Sequence, residues 1–147
     1  MRKTLEKALN KYLADASAVD FCLKLWDVIQ VWDDLIDSDP VSNEDVNKAF
    51  ITLMIDLPRN QFYRAFEVDL RPLMMSAILQ WQVANEFENS PGGEDLNKAY
   101  MLRAGYYNIV HYCVYLIHGT DIAEKLGPDI LRIYGEKLNE FKGANHA

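Results

Sequence analysis

Apolar residues recur at three- and four-residue spacing along almost the whole chain, and no stretch alternates as a half-buried strand does. Leu5, Ala8, Leu9, Tyr12 and Leu13 predict a short first helix or arm within residues 1–16. Ser17 is placed to cap a longer helix over 18–37, which Asp39-Pro40 ends because the residue before proline is pushed out of the α region. Ser42 with Asp45 three positions on resembles a capping box. Behind it Val46, Ala49, Phe50, Leu53, Met54 and Leu57 form one stripe, closed by Pro58. Phe62, Ala65, Phe66 and Leu70 predict another helix leading to Pro72, which either opens a new helix at its first position or kinks a continuous one through to Glu88.

Ser90-Pro91-Gly92-Gly93 is the strongest break in the chain. Glu94 and Asp95 then favour a helix start, and the pattern predicts one helix to His118 with Gly119 at its C-terminal cap. Thr120 opens a short turn to Leu126, and Gly127-Pro128 begins a last helix through Phe141, with 143–147 expected as a disordered tail. The sum is an all-α chain, an irregular bundle of six to seven helices in a single domain over 1–147.

Composition agrees with a folded core, since half of the 147 residues are hydrophobic. A chain of this size folds without disulfide or metal support. A net charge of −7 argues against non-specific nucleic-acid binding and against anionic membranes, because both need Lys and Arg to meet phosphate. No run approaches the ~18 apolar residues of a membrane span. Cys22 and Cys113 lie far apart in apolar stretches, outside any CxxC pair. Together with the charged segment at the start, they predict reduced core thiols in a soluble, cytoplasmic protein.

Projected at about 100° per residue, the second helix sorts its carboxylates. Asp20, Asp27 and Asp34 fall on the polar side with Lys24, whereas Asp33 falls inside the apolar arc between Cys22 and Trp26, and Asp37 lies beside it. Two carboxylates four residues apart on an inward face, at the negative end of the helix dipole, need neutralisation. A divalent metal would supply it, and so would Lys or Arg from this same chain. Asn85 and Glu88 project into the apolar face of the helix that contains Trp81, so Asp33, Asp37, Asn85 and Glu88 form a candidate set of oxygen ligands for a hard cation. Further on, Tyr100, Arg103, Tyr107, His111 and His118 share a stripe. Arg103 and His111 are its candidates for holding a phosphate, and a face with buried aromatic bodies and wet polar tips is the alternative. GxGxxG, P-loop, HExxH and GxSxG motifs are all absent, and no catalytic residue is singled out.

The run Asp33-Asp34-Leu35-Ile36-Asp37 resembles the DDxxD motif of the class I isoprenoid (polyprenyl and terpene) synthases. That resemblance implies an all-α fold and a magnesium site in which Asp33 and Asp37 hold ions that bind a substrate diphosphate. The family's second metal motif, another DDxxD or an NDxxSxxxE run, has no counterpart in the chain.

Two functions from different classes therefore follow. The first is a non-catalytic helical module that binds a protein partner or forms a homo-oligomer, for which three tryptophans and eight tyrosines supply anchors. The second is a Mg2+-dependent protein that binds or hydrolyses a diphosphate or nucleotide. It would use Asp33 and Asp37 as ligands, Asn85 and Glu88 as further ligands, and Arg103 as the phosphate clamp.

Overall fold

The structure is a computed structural model that describes the backbone of residues 1–146 and the side chains of residues 1–144. It is all-α, with no strand among the described residues. The helices are α1 (Arg2–Leu13), α2 (Ala16–Ile36), α3 (Asn43–Ile51), a π-helical turn (Thr52–Asp56), α4 (Leu57–Arg59), α5 (Gln61–Glu88), α6 (Gly93–Leu102), α7 (Gly105–His118), α8 (Thr120–Leu131) and α9 (Leu138–His146). The chain forms two compact units, Met1–Glu67 and Val68–Ala147, so the change of unit falls within α5 and not at the 90–93 loop.

In the first unit, α1 is a packed helix. Leu5, Leu9 and Leu13, one turn apart, are fully buried, and Arg2 donates two hydrogen bonds to Asp27 of α2 at 2.9 and 3.0 Å. The N-cap of α2 is Asp15, whose carboxylate accepts from the Ala18 amide at 2.9 Å, rather than Ser17. The Ser17 hydroxyl instead accepts from the Phe62 amide at 2.9 Å, capping α5 from a distant part of the chain. Asn60 joins the same junction. Its side-chain oxygen accepts from the Tyr63 amide, while its NH2 donates to the Ser17 carbonyl at 3.0 Å and to Asp20 at 3.1 Å. Because Asn60 lies against the start of α2, residues 43–60 must return antiparallel along that helix. The rings of Phe21, Phe62, Tyr63 and Phe66 close the core beneath this junction.

The acidic end of α2 closes with a Schellman motif. Asp39 N–H donates to the Asp34 carbonyl at 2.8 Å and Ser38 N–H to that of Leu35 at 3.3 Å, with Ser38 left-handed at φ 61°. Asp37, Ser38 and Asp39 are therefore turn residues at this helix end.

The α5 helix passes through Pro72 without stopping. Its one non-helical residue is Phe66 (φ −122°, ψ 21°), six residues earlier. In the second unit Ala84, Leu96, Ala99 and Phe141 pack together, and the expected 95–118 helix is split at Arg103–Ala104 into α6 and α7. Gly105 opens α7 where it meets Trp81, because a Cβ there would lie 3.2 Å from the indole Nε1. Gly127 and Pro128, expected to start a helix, lie inside α8, whose end falls at Leu131. The chain then runs non-helically to α9. Residues 143–146, expected as tail, continue α9, and Ala147 lies outside the described residues. No described helix is long and apolar enough to cross a membrane.

Candidate functional site

The polar residues singled out from the sequence fall into separate settings. In the first unit Asp33 is partly buried and Asp37 exposed, and both make interactions of their own. In the second unit Arg103 engages both residues expected beside them. Its Nε donates to Glu88 at 2.8 Å and its guanidinium also donates to the side-chain amide oxygen (Oδ1) of Asn85, with the Arg103 and Glu88 side chains only 18% and 19% exposed. The candidate phosphate clamp and two candidate metal ligands thus satisfy one another, as an internal ion pair would. His111 bonds through Nε2 to the Ala123 carbonyl at 2.8 Å, and its ring packs where a Gly127 Cβ would lie 3.1 Å away, so it ties α7 to α8. Among the described residues, no three His, Cys, Asp or Glu side chains come together as a metal site. Cys22 and Cys113 are both free thiols and buried.

Tyr100 and Tyr107 from the same stripe form a ladder of edge contacts with Tyr134, at 5.4 and 5.6 Å between centroids, and the Tyr100 hydroxyl donates to the Glu136 carbonyl. Burial raises the Tyr107 phenol above its ordinary value. Burial, then the Glu136 charge, raises that of Tyr134 further. These features describe a core and its polar seams.

Something different occurs on α3 and the π turn. The predicted stripe Val46, Phe50, Leu53 and Met54 points to solvent, at 38, 65, 47 and 59% exposure, joined by Ile51 and Ile55, while α3 buries no residue fully. In this stretch Thr52 and Leu57 are buried and Ala49 and Asp56 partly buried. The π turn accounts for the place of Leu57. Its Leu57 N–H donates to the Thr52 carbonyl, five residues back. Bonding of this kind places about one extra residue in the turn, which sets later residues back by about 100°. Leu57 then occupies the angle that α-helical counting gives Asp56, on the side of Thr52 and Ala49. The large apolar side chains that counting placed on its stripe stay on the opposite, open side.

Around this face the charge is lopsided. Residues 33–59 carry seven acidic side chains (Asp33, Asp34, Asp37, Asp39, Glu44, Asp45 and Asp56) and two basic ones, Lys48 and Arg59, a net of −5 against the chain's −7; Asp56 and Arg59 line a pocket with Asp20 and Lys24 of α2. Leu35 and Ile36, exposed at the end of α2, lead through the Schellman turn into this same face. Neither the outward direction of α3 nor its coincidence with the chain's negative charge was read from spacing. The charge count was available in the sequence, and the direction was not.

Compared with models of known protein families, with curated proteins and with solved structures, the chain matches none. What the fold and the surface define is an all-α chain with an open, acid-rimmed apolar helix face.

Proposed function

We propose that this protein is a non-catalytic helical interaction module whose contact surface is the outer face of α3 and the π turn. The observation behind this is the inverted amphipathicity of residues 46–57, where the small and polar Ala49 and Thr52 turn inward and Phe50, Met54, Leu53 and Ile55 face water. Exposed apolar rows of this kind mark association surfaces in folded proteins, and π turns are enriched at functional positions. A second exposed row, Val68, Met75, Leu79 and Val83 on α5, gives the other unit an apolar face of its own. The magnesium–diphosphate alternative has less behind it, since Arg103, its clamp, is engaged with Glu88 and Asn85. Free, buried Cys22 and Cys113 suit a reducing compartment, and we place the module in the cytoplasm.

Two measurements test the proposal together, one on the Phe50→Ser/Met54→Ser variant and one on the chain with a crosslinker in place of a single residue. The variant lowers the melting temperature less than Leu57→Ala does, because most of both side chains is already in water. A photo-crosslinker at position 50 captures specific protein contacts that one at exposed Lys98 does not. A melting temperature lowered as far as a core substitution lowers it, or indistinguishable crosslinking from the two positions, would overturn the assignment.

A further inference from the structure

The charge around the α3 face narrows what can cover it. Asp33 and Asp37 make interactions of their own, but even without them Asp34, Asp39, Glu44 and Asp45 precede the apolar residues along the chain, with Lys48 the one cation between Asp34 and Met54. A second copy of this chain would bring the same negative face, and like charges held across an interface are strongly disfavoured. An anionic bilayer is disfavoured for the same reason, and helices that lie in membrane interfaces carry Lys and Arg on their polar side, where α3 carries Glu44 and Asp45. What complements both features is a helix with an apolar row for Phe50, Leu53 and Met54 and flanking cations for the acidic border. Methionine and leucine side chains adapt readily to such a row.

We infer that the occupant of this face is a cationic amphipathic helix of another protein, laid against α3 and the π turn with its Lys or Arg residues over Asp39, Glu44 and Asp45. This rests on the interaction surface proposed above and adds the chemistry of its partner. The apolar contacts hold the complex together, and the charges select the partner and speed its capture.

The test uses the full chain and a labelled 18-residue peptide of leucine and lysine, with leucines at helical spacing, in fluorescence anisotropy. Its glutamate-for-lysine counterpart serves as the comparison. The lysine peptide binds about tenfold or more tightly than the glutamate peptide, and its affinity falls several-fold as salt is raised, as screening of surface charge requires. Asp39→Asn/Glu44→Gln/Asp45→Asn weakens binding and flattens the salt dependence. Phe50→Ser/Met54→Ser abolishes binding, whereas Met75→Ser on the other unit does not, with circular dichroism melts confirming that each variant is folded. Equal binding of the two peptides, loss of binding in Met75→Ser, or unchanged binding in the Phe50/Met54 variant overturns the inference. Two further outcomes replace the partner while leaving the surface standing. These are sedimentation as a dimer that Phe50→Ser/Met54→Ser dissociates, and binding to phosphatidylcholine vesicles that the same variant loses. If that variant changes no association of any kind, the surface itself fails.

Discussion

Leu53 and Leu57 offer a direct test of the π turn. Four residues apart, they share a stripe in any regular α-helix, yet Leu57 is 4% exposed and Leu53 is 47% exposed. Replacing each with alanine deletes the same three carbons. At about 0.8 kcal/mol per buried methylene, Leu57→Ala loses about 2.4 kcal/mol of transfer free energy, and the cavity left in the first unit raises the cost to about 3–4 kcal/mol. Leu53→Ala loses about half of that transfer term, and water fills the space. Alanine's better helix propensity returns a little, leaving a cost of about 1 kcal/mol. Urea unfolding followed by helical circular dichroism reads the difference as a shift in midpoint at unchanged m-value. The variants should differ by about 2 kcal/mol or more. Equal losses, or a larger loss at Leu53, would show that residues 52–57 keep α-helical register and that the outward face of α3 is wrongly assigned.

Three other outcomes follow from contacts in the second unit. Arg103→Met destabilises by about 1.5–3 kcal/mol because Glu88 and Asn85 lose a charged donor away from bulk water. Adding Glu88→Gln costs less than the sum of the separate changes in a double-mutant cycle, and strict additivity would refute the pairing. Gly127→Ala presses a methyl against the His111 ring, itself held by the Ala123 carbonyl, and lowers stability by about 1–3 kcal/mol, whereas Gly93→Ala, with open space around it, has no such clash. The raised phenols of Tyr107 and Tyr134 set a pH dependence at the alkaline end. The unfolded chain gives up these protons near the ordinary value of 10.0 while the folded chain keeps them, so their contribution is intact below pH 10.0 and is lost as the pH rises beyond it. Tyr134→Phe should make stability above that pH decline less steeply in a pH series of urea melts, and an unchanged slope would count against its burial.

Much of this protein follows from local rules that act within a few residues. The helices are legible because apolar side chains recur every three or four positions, and the Ser42 cap held at its expected place because capping joins groups three residues apart. Asp39 reads as a turn residue for the same reason, and the structure shows it closing the Schellman motif. Where Ser17 and Asp15 compete for one cap, local chemistry is degenerate. The contact of Ser17 with Phe62, 45 residues away, decides between them. Arg103 was recognised as a group able to hold an anion, but only packing could show that the anion it meets is Glu88 of its own chain. The outward turn of Phe50 and Met54 depended on the tertiary structure most. Periodicity shows which residues share a face and leaves open which way that face points. One π turn, whose five-residue bond leaves no mark in hydrophobic spacing, moved Leu57 inward, away from Val46, Phe50, Leu53 and Met54, which stay in water.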